Sequence, residues 1–520
     1  MTRTAAEIGA GLAPIRAPRP IEPGERIHVV GIAGAGASGA ALLAHAAGAV
    51  VSGCDAGGAS PYTAALIRAG VPVEWRHDAA HVLGAGAPTR LAVTKALTAT
   101  APDHPELEAA RRAGLAIEPW QQVVADAAVD RRLIAVAGTH GKSSTSGWLV
   151  HVLAHAGLDP SAFVGALLPA AVTRDGPATA RIGHGPAFVV EADEYAGNFD
   201  AYRPDVAVLT SIEWDHPDVF SDLAAVQASF GAWIAAMPAG GTLVANAGDP
   251  GVASLLETLA STLSLHLVAY AVSDAPPSPS GFQRGIAEHF ATAVGPAQPI
   301  LGRVTGAHSD GTTVEISGLD PMAGAVRVEL PTAGLHNVAN ALGVAGAALS
   351  LGVDPASIAS GLETFDGIGR RLERKGEVAG VVVYDDYGHH PTAIRATLAA
   401  VRQREPGRRL WAVYEPLTFH RTAALLPGFA AALAEADAVM IADIWAGRDT
   451  DTTVTSAEAL ASAVRRLRPD MPAAASGSVD RTAEWLAREV RAGDAVLVMG
   501  GGRSYRIGEQ LIELLGRPRP

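Results

Sequence analysis

The chain has 520 residues with a formal net charge of -13 at pH 7, and 48% of its residues are hydrophobic and 18% charged. That length is too great for one hydrophobic core, so we expect about three domains, and the composition excludes the disordered and fibrous classes in favour of soluble α/β enzymes. Because the sequence has no long run of Lys or Arg to bind a nucleic-acid backbone, we expect no nucleic-acid partner.

Cysteine content and the lengths of apolar segments bear on location. Cys54 is the single cysteine, so no disulfide can form within the chain. Residues 1–20 lack the apolar core of a signal peptide, and the apolar stretch 341–353 is shorter than the roughly 18 residues of a membrane-spanning helix. These features predict a cytoplasmic protein that does not insert into a membrane.

The first predicted domain covers residues 26–130 and alternates strands with helices. An apolar strand at 26–32 is followed by a helix at 37–48, a second strand at 49–55 and a second helix at 59–70. Strands that alternate with helices in this way form parallel sheets with helices on both faces. We therefore expect a Rossmann-like domain.

A glycine cluster lies between the first strand and the first helix of this domain. Gly34, Gly36 and Gly39 have G-x-G-x-x-G spacing, and Asp55 ends the next strand, where an acidic residue often contacts a ribose. Glycines at these positions let the backbone approach a diphosphate at the helix N-terminus. The pattern favours diphosphate binding but does not separate NAD from a UDP-sugar, and tight packing of the helix is the alternative.

The second predicted domain, residues 131–365, begins with an apolar strand, the sequence GTHGKSS at 138–144 and a helix. One glycine of the longer G-x-x-x-x-G-K-[ST] pattern is absent, but the order is still typical of a phosphate-binding loop. Lys142 would contact the β- and γ-phosphates of ATP, and the hydroxyls of Ser143 and Ser144 would contact phosphate or Mg²⁺. The pattern favours ATP binding on a P-loop ATPase-like parallel sheet over an ordinary glycine-rich turn.

Acidic and histidine side chains follow two later strands of the second domain. Glu191 ends the apolar run AFVV, and His216 ends the strand predicted after it. Because parallel strands present ligands at their carboxyl ends, Glu191, His216 and Ser143 are expected to converge on one divalent ion. Carboxylate and hydroxyl oxygens favour Mg²⁺. Either residue could instead cap a helix or satisfy a loop.

The end of the second domain shows other patterns. Alternating apolar residues at 311–319 and 324–331 predict a small antiparallel hairpin. Residues 272–300 are rich in Pro, Ser and Gly, which predicts a surface excursion.

The third predicted domain, residues 366–520, again alternates strands with helices and is expected to be Rossmann-like. One of its strands ends at Asp385 and Asp386, shortly before His389 and His390. Carboxylates and imidazoles at a sheet edge can orient a substrate amine or accept its proton. The alternative is that the histidines are plain loop residues.

Three arginines lie in two short motifs of this domain. Arg370 and Arg371 occur in GIGRRLE, and Arg421 occurs in YEPLTFHRT. A guanidinium group matches a carboxylate or phosphate through two parallel hydrogen bonds. A surface salt bridge is the alternative for each.

These motifs, in this order, resemble those of the Mur ligase family, the ATP-dependent amide-forming enzymes of peptidoglycan precursor synthesis. GTHGKSS, EADEY, the DH of IEWDH, GLHNVANA, GIGRRLE and DDYGHHPT carry the resemblance, which extends from about residue 26 to 515. It implies an ADP-forming ligase that activates a carboxylate as an acyl phosphate and transfers it to an amine. It also implies that the N-terminal domain binds a UDP-sugar rather than NAD, with ATP in the central domain and the amino acid in the C-terminal domain.

The resemblance implies a set of site residues. The UDP-sugar would be bound by Gly34, Ala35, Gly36, Ser38, Asp55 and His77. ATP would be bound by Gly138, Thr139, His140, Gly141, Lys142, Ser143, Ser144, Asn337 and Arg371, and Mg²⁺ by Ser143, Glu191 and His216. The catalytic residues would be Lys142, His216, Asp386, His389 and Arg421, with Arg421 on the carboxylate of the amino acid and Asp386 and His389 on its amine.

Within the family, the sequence is most similar to the branch that joins L-alanine to UDP-N-acetylmuramate. Some other branches use a carbamylated lysine, but no lysine lies between Lys142 and Lys375. The alanine branch often has Q-P-H-[RL]-x-[ST]-R-T where this chain has EPLTFHRT at 415–422. The segments IEWDHPDVFSDLAAVQ and RRLERKGE resemble instead a branch that attaches a whole tripeptide, L-alanyl-γ-D-glutamyl-meso-diaminopimelate, in muropeptide recycling.

Rival functions account for less of the sequence. A nicotinamide dehydrogenase would explain the first glycine cluster but not GTHGKSS or EADEY. A regulatory P-loop protein would explain the central domain alone. A folate or other amino-acid ligase of the same family is disfavoured by the N-terminal glycine cluster.

Overall fold

The computed structural model describes residues 3–84, 86–259, 264–273, 299–320, 324–447, 449 and 451–517. Within that part of the chain, three successive sheets form the framework, and helices cover their faces. The predicted three-domain α/β architecture, with mainly parallel sheets, is confirmed. Most of the surface excursion predicted at 272–300 lies outside the described residues.

The first sheet has the predicted Rossmann-like form. Its strands are β1 (Arg26–Val30), β2 (Val50–Cys54), β3 (Val73–Glu74), β4 (Arg90–Val93) and β5 (Ile117–Pro119). They lie in the order β3-β2-β1-β4-β5, and every pairing is parallel. The accompanying helices are Ala5–Ile8, Ala35–Ala46, Thr63–Arg68, Lys95–Thr100, Pro105–Arg112 and Trp120–Ala127, with a 3₁₀ helix at Ala79–Val82.

The second sheet is longer and has antiparallel strands at both ends. Its strands are β6 (Arg132–Ala137), β7 (Ser161–Leu168), β8 (Ala178–Arg181), β9 (Ala187–Ala192), β10 (Val206–Leu209), β11 (Thr242–Asn246), β12 (His266–Ser273), β13 (Ile300–His308), β14 (Gly311–Asp320) and β15 (Gly324–Leu330). The order is β15-β14-β13-β12-β11-β10-β6-β9-β7-β8. The hairpin predicted from the alternating pattern is the antiparallel pair β14 and β15.

Helices of the second sheet follow the same alternation. They are Lys142–His155, Ala170–Thr173, Leu223–Ala235, Pro250–Leu259, Leu335–Ser350 and Pro355–Glu363, with a 3₁₀ segment at Tyr195–Ala201. No helix among the described residues has the length and apolar character needed to span a bilayer.

The third sheet is parallel apart from its first strand. Its strands are β16 (Glu373–Val378), β17 (Val381–Asp386), β18 (Arg409–Glu415), β19 (Ala438–Ala442), β20 (Ala473–Gly477) and β21 (Asp494–Gly500). The order is β16-β17-β21-β18-β19-β20, with β16 antiparallel to β17. The helices are Pro391–Arg404, Phe419–Ala424, Leu426–Leu433, Ala457–Leu467, Val479–Glu489 and Tyr505–Gly516.

The first two domains share one hydrophobic core. A single cluster of buried side chains runs from Ile27 of β1 through Phe163 of β7 to Ala269 of β12. The buried clusters of the third sheet, by contrast, consist of side chains from 372 onward. The C-terminal domain therefore meets the rest of the described chain mainly through polar contacts, such as Gln403 Nε2 to the Gly311 carbonyl oxygen at 2.8 Å.

Glycines of the first cluster allow close packing both within the first domain and against the second. A Cβ atom on Gly39 would lie 2.6 Å from the Phe163 ring, and one on Gly36 would lie 2.2 Å from the Trp120 ring. Both distances are too short for real Cβ contacts. Tight packing, considered above as the alternative to diphosphate binding, is therefore a true role of these two glycines, whichever ligand the loop binds.

Replacing Gly39 by Ala should lower the thermal midpoint. Alanine gains up to ~1 kcal/mol of helix propensity, but a Cβ forced against buried Phe163 costs roughly 1–3 kcal/mol. The matched control is Gly86→Ala, because Gly86 is exposed and has no heavy atom within 4 Å of a built Cβ. Calorimetry without ligands measures both variants, and a Gly39→Ala midpoint at or above that of the wild type would contradict the packing role.

Candidate active site

The loop between β6 and the helix Lys142–His155 is shaped for phosphate. Gly138 and Gly141 have φ values of 136° and 79°, in the region that favours glycine. The backbone N–H groups of Thr139 and His140 donate to Ser211, at 2.8 Å to its carbonyl oxygen and 2.9 Å to its hydroxyl. The helix then begins at Lys142, so its free N–H groups lie at the carboxyl edge of the sheet.

Lys142 is held by acidic residues. Its Nζ atom donates to Glu194 Oε2 at 2.8 Å and to the Gly138 carbonyl oxygen at 2.6 Å, and it lies 3.8 Å from Asp193 Oδ1. Burial works to lower the pKa of Lys142, but the Glu194 and Asp193 carboxylates raise it overall. Burial raises the pKa of Glu194 to about 6. The lysine is therefore a fixed cation at the loop that is predicted to bind ATP.

The three predicted metal ligands fall into two neighbouring groups. Ser143 Oγ donates to Glu191 Oε1 at 2.9 Å, and Glu191 Oε2 accepts the Gly165 N–H at 2.6 Å. His216 is instead grouped with Asp193 and Glu194, and ligand atoms of these three lie within 4.8 Å of one another. Asp193 and Glu194 were not singled out from the sequence, although the acidic run EADEY contains them.

Arg421 joins the C-terminal domain to the central domain. Its Nε atom lies 2.8 Å from Asp215 Oδ1, and its Nη2 atom lies 2.9 Å from His216 Nδ1. Arg421 is 3% exposed and Asp215 is 5% exposed. Burial acts to raise the pKa of Asp215, but the Arg421 guanidinium outweighs it and holds the pKa well below the usual range. His216 itself has φ 54°, a strained backbone conformation that clusters at functional sites.

The predicted amine-orienting residues differ in their contacts. His389 Nδ1 lies 2.9 Å from the Tyr387 carbonyl oxygen, and burial lowers the His389 pKa well below its usual range. The carboxylate oxygens of Asp386 accept hydrogen bonds from backbone groups, the Leu372 N–H at 2.8 Å and the Gly388 N–H at 2.7 Å. His389 is thus a neutral imidazole near the site, while Asp386 holds the loop on which His389 lies.

A second contact between the domains surrounds Glu213. Its Oε2 atom lies 2.8 Å from His140 Nε2 and 3.3 Å from His390 Nδ1, and its Oε1 atom accepts the Thr392 hydroxyl at 3.0 Å. Burial acts to raise the Glu213 pKa, but the hydrogen bond from His140 and the other neighbours lower it to about 2. His140, predicted to bind ATP, therefore also helps to connect the phosphate loop with the C-terminal domain.

Two cavities lie among the predicted site residues. One of about 590 Å³ is lined by Ser144, Asn337 and Arg371, and its walls come from all three domains. Arg371 Nη2 also donates to Ser143 Oγ at 2.8 Å. The other, of about 160 Å³, is lined by Gly36, Glu191 and Asp193 among others. Ser144, Asn337 and Arg371, three of the predicted ATP-binding residues, thus share a cavity, and Gly36 of the predicted sugar loop lies beside the acidic residues.

The predicted UDP-sugar residues line one edge of the first sheet. Gly34 caps the helix Ala35–Ala46, so Ala35 and Gly36 lie in its first turn. Asp55 accepts the N–H groups of Ala33 at 3.1 Å and Gly57 at 2.8 Å. These contacts shape the loop but leave its role in sugar binding a prediction.

The remaining two predicted sugar residues are less open. Ser38 is fully buried, and its hydroxyl donates to the Ala35 carbonyl oxygen at 3.0 Å. His77 Nδ1 lies 3.2 Å from Cys54 Sγ, and its ring packs edge-on against His104. Their predicted contacts with a sugar stay predictions.

Glu415, the last residue of β18, is a buried acidic residue. It is 4% exposed, and its Oε2 atom accepts no hydrogen bond from the described residues. Burial raises the pKa of Glu415 to about 7. This is the position where the alanine-adding branch often has glutamine.

Comparison with protein families covers most of the chain. The catalytic domain of the Mur ligase family matches residues 26–132, the Mur ligase middle domain matches 136–348, and the Mur ligase glutamate ligase domain matches 370–502. The matches follow one another in the same order as the three sheets.

Individual relatives match over nearly their whole length. A UDP-N-acetylmuramate–L-alanine ligase of Frankia casuarinae is 37% identical over 511 residues, covering 95% of this chain and 98% of the relative. One from Kineococcus radiotolerans is 38% identical over 506 residues, covering 94% and 96%. Both sequence identities, over nearly the whole chain, establish that this protein and these relatives share a family.

Solved structures show the same architecture. A murein peptide ligase from Psychrobacter arcticus is 26% identical with a TM-score of 0.70, covering 96% of this chain and 100% of that one. A UDP-N-acetylmuramate-alanine ligase from Thermotoga maritima is 22% identical with a TM-score of 0.73, covering 94% and 98%, and it supports the fold alone.

Replacing Glu415 by Gln should reduce the pH dependence of stability. The folded-state pKa is raised from 4.5 to about 7, so the folded protein holds a proton that the unfolded chain releases between these values. The stabilising effect is complete below pH 4.5 and is lost as the pH rises through about 7. From about pH 5 to about pH 8, the wild type should lose up to about 3 kcal/mol more than Glu415→Gln.

Urea unfolding at several pH values tests this prediction. The matched control is Glu435→Gln, because the Glu435 side chain is 45% exposed in the same domain. The control should follow the wild type. Equal pH slopes for the wild type and Glu415→Gln would show that Glu415 is ionised throughout the range.

Proposed function

Since the chain belongs to the Mur ligase family, we propose that it joins L-alanine to UDP-N-acetylmuramate with hydrolysis of ATP to ADP and phosphate. The product is an amide between the lactyl carboxylate of the sugar and the amine of the amino acid. The enzyme serves peptidoglycan precursor synthesis. The donor assignment follows two of the most similar relatives, which are UDP-N-acetylmuramate–L-alanine ligases.

One geometric observation carries the proposal. His216 lies between Glu194, the partner of Lys142, at 4.0 Å and Arg421 at 2.9 Å. Two intervening side chains, Glu194 and His216, thus connect a lysine suited to phosphate with an arginine suited to the carboxylate of an amino acid. An acyl phosphate formed at Lys142 would be within reach of the amine of an amino acid whose carboxylate is bound by Arg421.

In the first step, an oxygen of the lactyl carboxylate attacks the γ-phosphorus of ATP and ADP departs. Negative charge spreads over the transferred phosphoryl group, and Lys142 and the free N–H groups in the first turn of the helix Lys142–His155 offset that charge. The cation of Lys142 is already oriented by Glu194 at 2.8 Å, so little reorganisation is needed.

The acidic residues fit a magnesium ion. Carboxylates of Asp193, Glu194 and Glu191 and the hydroxyl of Ser143 are oxygen donors of the kind Mg²⁺ prefers, and His216 adds one nitrogen. When bound, Mg²⁺ supplies positive charge that offsets the charge of the phosphate oxygens. The chain contributes the ligands from two strand ends and the first turn of one helix.

In the second step, the amine attacks the acyl carbon and phosphate leaves. The amine must lose its proton, and His389 is held in the neutral form that can accept one. Arg421 holds the carboxylate of L-alanine, exchanging part of its contact with Asp215 for the substrate. Closure of the three domains around the substrates would exclude water from the acyl phosphate.

We further propose domain boundaries near residues 130 and 365, giving a UDP-sugar domain at 26–130, an ATP domain at 131–365 and an amino-acid domain at 366–520. The enzyme acts in the cytoplasm, where ATP is available. Attachment of a whole tripeptide is the second candidate, because EPLTFHRT departs from the alanine pattern and a murein peptide ligase is 26% identical over 96% of the chain.

Phosphate release from ATP and Mg²⁺ in the presence of UDP-N-acetylmuramate tests the proposal. L-alanine, glycine, L-serine and L-alanyl-γ-D-glutamyl-meso-diaminopimelate are compared as donors, with reactions lacking the sugar as controls. We expect sugar-dependent turnover with L-alanine. Turnover with the tripeptide alone would make the tripeptide the donor instead of L-alanine. No phosphate release with any donor would overturn the assignment of UDP-N-acetylmuramate as the sugar substrate.

Arg421→Lys should raise the KM for L-alanine about 10–100-fold, because a paired charged contact contributes roughly 1.5–3 kcal/mol and lysine cannot form it. The KM for ATP should change little. Arg395→Lys is the matched control, since the Arg395 side chain is 49% exposed on the same domain. An equal rise in the KM values for ATP and L-alanine would assign Arg421 to the contact between domains rather than to substrate binding.

A further inference from the structure

A cluster of buried histidine, cysteine and glutamate side chains lies in the N-terminal domain, outside the reaction described above. His28 lies on β1, Cys54 ends β2, His81 lies in the 3₁₀ helix Ala79–Val82, and Glu106 lies in the first turn of the helix Pro105–Arg112. Cys54 and Glu106 are fully buried, and His28 is 2% exposed. Four separate elements thus bring their polar groups to one point.

Glu106 is the centre of this cluster. Its Oε1 atom lies 2.8 Å from His81 Nδ1, and both of its oxygens lie 3.1 Å from Cys54 Sγ. Its Oε2 atom lies 3.7 Å from His28 Nε2. One potential ligand atom from each of the four residues lies within 4.8 Å of the others.

His28 is oriented for use by a ligand. Ser52 Oγ lies 2.9 Å from His28 Nδ1 and fixes the ring, so that Nε2 faces Glu106. Within the described chain, Nε2 has no hydrogen-bond partner although it is buried. A buried imidazole nitrogen left without a partner costs free energy. Metal-binding histidines characteristically have their other nitrogen held by such a neighbour.

We propose that His28, Cys54, His81 and Glu106 form a structural binding site for a divalent transition-metal ion, with Zn²⁺ as the best fit. Two imidazole nitrogens, one thiolate and one carboxylate are the donors that zinc accepts, and four protein ligands complete a tetrahedral shell. A thiolate in the set disfavours Mg²⁺ and Ca²⁺, which take oxygen ligands. The site is separate from the magnesium-binding residues and does not rest on the proposed function.

The separations suit a small shift of side chains around the ion. Bonds of about 2.0–2.3 Å in a tetrahedron place ligand atoms about 3.3–3.8 Å apart. Of the observed separations from Glu106, 3.7 Å lies in that range, and 2.8 and 3.1 Å are slightly shorter. Small shifts of the side chains would therefore let an ion replace the contacts around Glu106.

Ion binding exchanges a proton for a metal bond. Burial and the nearby Glu106 carboxylate raise the pKa of Cys54, so the thiol keeps its proton in the metal-free protein. On binding, the Cys54 S–H bond breaks, the sulfur–metal bond forms with the sulfur electron pair, and the proton goes to solvent. No oxidation occurs. The ion would tie together two strands and two helical segments directly beside Asp55.

Cobalt substitution tests the proposal with the full-length protein. Metal-free protein is prepared with a chelator and titrated with Co²⁺, and near-ultraviolet absorption is followed. Because Cys54 is the only cysteine of the chain, a thiolate-to-cobalt charge-transfer band can come from this site alone. We expect a band that saturates at a single equivalent of Co²⁺, is displaced by Zn²⁺, and is accompanied by a higher thermal midpoint with Zn²⁺.

Variants distinguish a metal site formed by all four residues from nonspecific binding of Co²⁺ to the Cys54 thiol. Cys54→Ser should abolish the band and the Zn²⁺-dependent rise in midpoint, and His81→Asn should weaken Co²⁺ binding about tenfold or more. The matched control is His45→Asn, because His45 is exposed in the same domain, and it should bind as the wild type does. Absence of a band in the folded wild type, or equal affinity in His81→Asn, would leave the cluster a hydrogen-bond network around Glu106.

Discussion

The buried contact of Arg421 with Asp215 and His216 is the interaction on which the arrangement of the active site depends. It connects a helix of the third sheet with the strand end that carries His216, and His216 in turn adjoins the acidic partner of Lys142. Removing one member of a buried ion pair leaves an uncompensated charge, which costs several kcal/mol. The pair therefore fixes where the C-terminal domain lies relative to the phosphate loop.

Much of the fold follows from local sequence patterns. Apolar runs such as VAVL at β10 are buried on both faces, and a continuous apolar run is what a central parallel strand requires. The hairpin of β14 and β15 followed from alternation, which has the two-residue period of a strand. The phosphate loop was found because Gly138, Gly141 and Lys142 each have a distinct local role that the sequence displays.

Features that depend on side chains from distant segments were harder to predict. The spacing of Gly36 and Gly39 suits a diphosphate, but the packing against Trp120 and Phe163 becomes visible only in the folded structure, because both rings come from distant segments. Asp386 was expected at the amine because of its place at a strand end, whereas its oxygens hold backbone N–H groups. The cluster around Glu106 escaped notice for the same reason, since its members are spread from His28 to Glu106.

The contact between the first two domains is apolar, whereas the contact of the C-terminal domain with them is mainly polar. The first two domains share an apolar core, and separating them would expose that surface to water, whereas the C-terminal domain is attached through polar groups and the buried ion pair of Arg421 with Asp215. Moving the C-terminal domain would therefore expose less apolar surface than moving the N-terminal domain. Under the proposed function, nucleotide and sugar would bind to two domains that stay together, and the amino acid would bind where the C-terminal domain meets them.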